Sequence, residues 1–296
     1  MTMHTSRPVL VGIDGSDHCR RALDWAVAEA SSRSIPLHLV HALETGVTVW
    51  SPMLVPPTDL DDQRWVVEAA LEQVHAIAPE LEVTSEITTG PAAAALEQAA
   101  AEADTLVVGA RGRGVVGSIL LGSTSLHAAS HAPCPVVVVR EADDDPAKVG
   151  RSSHVVVGFD GSYLSDDALA YAFAAASVRH RDLDIVIAWS TEDLATYQLV
   201  PTIAEEVRAA AAHHRQELTA AAAAPWVEKY PEVESHIQVV VDTPAQALID
   251  RSYQADLVVV GSRGLGNVRG ALLGSVSAEV LRHSHCAVAV VRPWAG

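Results

Sequence analysis

Two aspartates, Asp14 and Asp160, stand in near-identical surroundings, VGIDGS and VGFDGS, each closing an apolar run and each followed by a glycine, Gly15 or Gly161. Further along, two glycine series share one spacing, G-x2-G-x9-G-S: Gly109, Gly112, Gly122 and Ser123, then Gly261, Gly264, Gly274 and Ser275. A carboxylate can face a divalent cation, and glycine lets the backbone approach a phosphate because no Cβ intervenes. A serine that opens a helix offers its hydroxyl and nearby N–H groups at the positive end of the helix dipole. The chemistry these types suit is the holding of a phosphorylated ligand by backbone groups. Arg111 and Arg263 occupy the same motif position; screening of phosphate charge and a solvated loop role both stay open for them. Arg113 is matched by Leu265 and has no such repeat.

Two better-known phosphate motifs do not fit. A P-loop needs GxxxxGK[ST], and neither glycine segment contains a lysine. GRGVVG (Gly112 to Gly117) matches a dinucleotide fingerprint literally, but its second copy is GLGNVR, with Arg269 in the third glycine place. The segment also follows the fourth expected strand of its half rather than the first. Tight strand-to-helix turns would explain single glycines, yet turns alone do not fix a nine-residue spacer whose contents differ between the copies.

The elements that must position these residues are written twice. VLVGIDGS returns as VVVGFDGS, ADTLVVGARG as ADLVVVGSRG, and APCPVVVVR as SHCAVAVVR, in the same order. Short β-branched runs alternate with segments of helical spacing, the pattern of βαβ units around a parallel sheet covered on both faces. Strands are expected at Pro8–Asp14, Leu37–Ala42, Glu82–Thr88, Thr105–Gly109 and Pro135–Arg140. Helices are expected at Asp17–Arg33, Asp59–Ala78, Pro91–Glu102 and Ser123–His131. The second half predicts strands at His154–Asp160, Leu183–Trp189, Glu234–Val240, Leu257–Gly261 and Ala287–Arg292, with a long alanine-rich helix over Ile203–Lys229. Residues 1–142 and 153–296 are thus two α/β domains, joined by an acidic, polar linker at 143–152. The last strand of each half would leave an apolar sheet edge open, so the two halves are expected to pair through these strands.

The bulk numbers set limits. At 296 residues each half can bury its own core. The formal charge of −17, from 37 acidic and 20 basic residues, repels a nucleic-acid backbone. Three cysteines without a CxxC pair give neither a disulfide framework nor a cysteine zinc site. HSHC (His283 to Cys286) loses a histidine in its counterpart, and His213 and His214 are neighbouring rather than stacked on their helix, so both groups are set aside as metal ligands. No leader is apparent, and no stretch reaches the ~18 apolar residues of a membrane span, so the chain is expected in the cytoplasm.

The G-x2-G-x9-G-S spacing, beside an aspartate that ends the first strand in both halves, resembles the ATP-binding subclass of the universal stress protein family. The arrangement is similar to its tandem two-domain form of the actinobacterial, mycobacterial type. The resemblance implies two open five-stranded parallel sheets of order 3-2-1-4-5 and one ATP per domain. Asp14, with Val40 to Ala42, would hold the adenosine end in the first half; Asp160, with Val186 to Ala188, would do so in the second. Asp14 and Asp160 would also be able to face a Mg2+ bridging the phosphates. The implied function is that of a nucleotide-dependent regulator of stress or growth adaptation, with slow or no hydrolysis, a regulatory protein partner and a homodimer among its associations. Two alternatives stay open at this point: an adenylyl- or phosphoryl-transfer enzyme using the loops Glu44–Thr58 and Ser190–Thr202, and a structural dimerisation module with a vestigial site.

Overall fold

Short β-branched and leucine runs become strands, the inner ones buried on both faces and the outermost exposed. In the first half these are β1 (Val9–Gly12), β2 (Leu37–Leu43), β3 (Val83–Thr89), β4 (Thr105–Gly109) and β5 (Val136–Val139). Between them lie α1 (Asp17–Arg33), α2 (Leu60–Ile77), α3 (Ala92–Ala99) and α4 (Ser123–His131). The computed structural model describes residues 6–43, 60–112, 121–140, 154–189, 201–264 and 273–292. All ladders of this sheet are parallel, in the order β3-β2-β1-β4-β5. Val9, Leu10 and Val11 in succession are buried, as are all four valines of β5, which requires cover on both faces. Each such side chain contributes about 1.5–3 kcal/mol by leaving water.

The second half repeats the plan with β6 (His154–Gly158), α5 (Tyr163–Arg179), β7 (Asp182–Trp189), α6 (Pro201–Lys229), β8 (Ser235–Val241), α7 (Pro244–Arg251), β9 (Ala255–Gly261), α8 (Ser275–His283) and β10 (Ala287–Val291). Its parallel order is β8-β7-β6-β9-β10. Phe173, Leu169, Leu183, Ile185 and Leu257 are its fully buried centre. The chain divides into two units, Met1–Arg140 and Glu141–Gly296. The expected linker and the loops holding Trp50 and Tyr197 lie outside the described residues.

Several elements end where the expectation did not put them. β1 and β6 stop at Gly12 and Gly158, short of the aspartates, because the chain there turns toward the following helix. The helix expected over Pro91–Glu102 is shorter. Pro91, lacking an N–H, sits outside it as the cap, and the final turn tightens to a 3-10 helix at Ala100–Glu102. α6 runs through Pro225, near its end. His213, paired with Glu217 at 3.3 Å, faces solvent on that helix.

Candidate functional site

Strand order reverses between β1 and β4, and a parallel sheet leaves a crevice outside the carboxyl ends of the strands at such a point. A cavity of about 420 Å3 opens there. It brings together eight of the residues singled out in the first half: Asp14, Val40, Ala42, Gly109, Arg111, Gly112, Gly122 and Ser123. Gly15 is not among them. With φ of 75° it makes the turn into α1, and it borders a second cavity between α1 and α2.

The turn is organised by the aspartate. Asp14 Oδ1 accepts the Ser16 N–H at 2.9 Å, and Ser16 Oγ accepts the Cys19 N–H at 3.2 Å to cap α1. Asp160 Oδ1 accepts the Ser162 N–H at 2.9 Å and also its hydroxyl at 2.6 Å. Ser162 therefore stands at the N-cap of α5 while its side chain serves Asp160 instead. Gly161 repeats the positive φ of Gly15, at 78°.

The motif glycines prove to have different reasons. A Cβ on Gly109 would lie 2.9 Å from the His18 carbonyl oxygen, so this glycine lets the first turn of α1 pack on the end of β4. A Cβ on Gly112 would lie 2.8 Å from Asp14 Oδ2, and one on Gly264 would lie 2.5 Å from Asp160 Oδ2. The room they make is occupied first by a carboxylate. Gly122 fits the sequence expectation of open backbone: its Cβ would meet only ordinary contacts, the nearest the Ala110 carbonyl at 3.4 Å. Gly122 and Gly274 cap α4 and α8 with φ of −64° and −71° and no side-chain cap, which leaves the first N–H groups of both helices, from Ser123 and Ser275 onward, without a side-chain acceptor at the cap.

The second domain repeats this framework. Phe159 donates its N–H to the Val186 carbonyl at 3.0 Å as Ile13 does to Val40 at 2.9 Å, and Gly274 donates to the Ser262 carbonyl at 2.7 Å as Gly122 does to Ala110 at 2.8 Å. Val40 and Val186 are buried, so Ala42 and Ala188, both partly exposed, are the accessible positions at their strand ends. Arg263 is exposed beside Gly264, and Gly261 ends β9. The charge differs, however. Asp166 stands four residues after Ser162, where the first half has Arg20 after Ser16. Partial burial, with the charges of Asp167 and Asp160, holds its carboxyl above the ordinary value.

Some lining residues carry no sequence signal. Ala92 and Leu96 of α3 close the apolar side of the cavity. Ser125 donates its hydroxyl to the Gly109 carbonyl at 2.6 Å, tying α4 to β4. His41 is buried in β2, with Nδ1 at 2.8 Å from the Ile13 carbonyl. A carbonyl only accepts, so Nδ1 carries the proton. The equivalent position on β7 is Ile187, so this histidine belongs to the first half alone.

The model of the universal stress protein family matches residues 5–140 and again 152–292. A universal stress protein of Mycobacterium tuberculosis is 37% identical over 98% of this chain and 97% of its own length. One from Mycolicibacterium smegmatis is 37% identical over 98% of each. In fold, the chain is similar to the crystal structure of a universal stress protein from Archaeoglobus fulgidus, with a TM-score of 0.63 and 21% identity over 97% of this chain and 98% of that one. With both halves matched in sequence and parallel order alike, the chain belongs to the universal stress protein family.

Proposed function

We propose that the chain binds ATP, one molecule in each domain, and acts as a nucleotide-dependent regulator of stress or growth adaptation with slow or no hydrolysis. The observation that carries this is the cavity at the carboxyl ends of β1, β2 and β4, where eight residues chosen from the sequence meet. Its volume falls within the ~300–1,000 Å3 of small-molecule sites. The base and ribose lie along Val40 to Ala42, and the phosphates lie over Gly122 and Ser123 at the start of α4. Val186 to Ala188, Gly274 and Ser275 serve the second domain in the same way. Asp14 and Asp160 offer carboxylate oxygens, the hard donors that suit a Mg2+ taking its other ligands from phosphates and water. The titratable groups among the described lining residues are Asp14, Cys19, His41 and Arg111. Such a regulator works in the cytoplasm, passes its state to a protein partner or a second copy of itself, and has no use for nucleic acid.

Calorimetric titration of ATP into protein stripped by unfolding and refolding tests this. A stoichiometry near two is expected for the parent and near one for Gly122→Val or Gly274→Val. Both glycines have backbone angles open to any residue. Each lost cradle weakens its site at least about a hundredfold. A natively folded double variant that binds ATP with parental affinity overturns the proposal.

A further inference from the structure

The amino ends of β6, β7 and β8, at the opposite end of the strands from the proposed nucleotide site, assemble donors of another kind. Register sets His154 beside Asp182, Leu183 beside Ser235 and Asp184 beside His236. Side chains alternate along a strand, so His154, Asp182, Asp184, Glu234 and His236 share one face of the sheet. Ligand atoms of Asp182, Glu234 and His236 all lie within 4.8 Å of one another. Glu234 Oε1 is 3.7 Å from His236 Nε2. A tetrahedral Zn2+ with bonds of about 2.0–2.2 Å sets its ligand atoms about 3.3–3.6 Å apart, so small side-chain rotations close the set. Beside it, His154 Nδ1 stands 3.8 Å from Asp184 Oδ2, buried and with no hydrogen-bond partner among the described residues. Arg181, next to Asp182 in sequence, is engaged by Asp256 at 2.9 Å.

The first domain lacks this set. Its equivalent positions, by repeat and register, are Pro8, Pro36, His38, Glu82 and Thr84, and His38 Nδ1 is satisfied by Thr84 Oγ1 at 2.8 Å. The donors therefore belong to the second domain alone. We propose that Asp182, Glu234 and His236 bind one divalent transition-metal ion of the Zn2+ type, water completing its coordination, with the Asp184 and His154 pair alongside. An imidazole with two carboxylates favours Zn2+, Co2+ or Ni2+ over Mg2+, which prefers an all-oxygen shell. The ion ties β8, an edge of its domain's sheet, to β7, and so stabilises the folded state by mass action.

The test uses the untagged full-length chain after chelation. Calorimetry with Zn2+ and visible absorption with Co2+ should each report one ion per chain. A tetrahedral Co2+ spectrum and a raised melting temperature should accompany it, and millimolar Mg2+ should not displace the ion. The double variant Glu234→Gln, His236→Gln changes only solvent-facing side chains. It should bind Zn2+ at least about tenfold more weakly and lose the Co2+ spectrum, with circular dichroism unchanged. No binding at submillimolar Zn2+ overturns the proposal, as does a parental affinity in the folded double variant, which would assign the ion to other histidines or cysteines.

Discussion

Asp14 and Gly112 are in direct contact: the carboxylate Oδ2 occupies the place into which a side chain on Gly112 would project, 2.8 Å from its Cβ position, and Asp160 with Gly264 repeats the relationship at 2.5 Å. Aspartate and glycine are therefore one unit, although they come from different βα turns.

This unit separates two substitutions that look alike in sequence. Alanine at Gly112 presses on the end of a side chain that can rotate away, so Gly112→Ala should cost less than about 1 kcal/mol of stability while moving the Asp14 carboxylate and weakening ATP at the first site. Alanine at Gly109 meets the backbone of His18, which cannot move without shifting α1, and Gly109→Ala should cost about 1–3 kcal/mol. Urea unfolding alongside ATP titration checks both, and equal loss of stability in the two variants would refute the distinction.

Asp166 gives a pH-dependent prediction. Its carboxyl is raised above the ordinary 3.8, first by partial burial and then by Asp167 and Asp160. The native state thus holds this proton more tightly than the unfolded chain does. Stability falls as pH rises from the ordinary value through the raised one, and the penalty persists at neutral pH. Asp166→Asn should raise the melting temperature at pH 7, by under about 3 °C because the group is largely solvated, and the gain should vanish in acid. A gain of the same size below the carboxylate range would trace it to something other than charge.

Cys134 should be inert in the folded protein. Burial pushes its thiol up to about 12, so almost no thiolate exists at pH 8. Iodoacetamide followed by peptide mass spectrometry should find it unmodified in native protein and modified in urea. Rapid native alkylation would mean that β5 opens locally.

The repeats carried most of the fold. α1, β4 and α4 lie where the apolar runs, the helical spacing and the Gly122–Ser123 signal put them. Six of the cavity's eight shared residues, Asp14, Gly109, Arg111, Gly112, Gly122 and Ser123, were legible because the repeat marked the turns between strands and helices, whereas Val40 and Ala42 came from the family resemblance. What the sequence hid arises between strands. Gly109 answers to His18, Gly112 to Asp14, and His41 to Ile13, contacts that only packing and register create. The histidine and carboxylates at the start of β7 and β8 have no local spacing to announce them, because ladder pairing rather than sequence separation makes them neighbours.

The hydrogen bonds from Gly122 to Ala110 and from Gly274 to Ser262 close two rings of equal length in the chain. Ring closure is an entropic matter and depends weakly on contour length: doubling such a loop costs only about 0.6 kcal/mol. The polymer physics of the fold thus exerts almost no pressure on how many residues the ring contains or which they are. Its contents have indeed drifted between the halves, from RGVVGSILL to LGNVRGALL, while its length has not. A length that closure leaves free, yet both halves keep, accords with the proposed nucleotide site, to which Gly122 and Gly274 would contribute the far end of each ring.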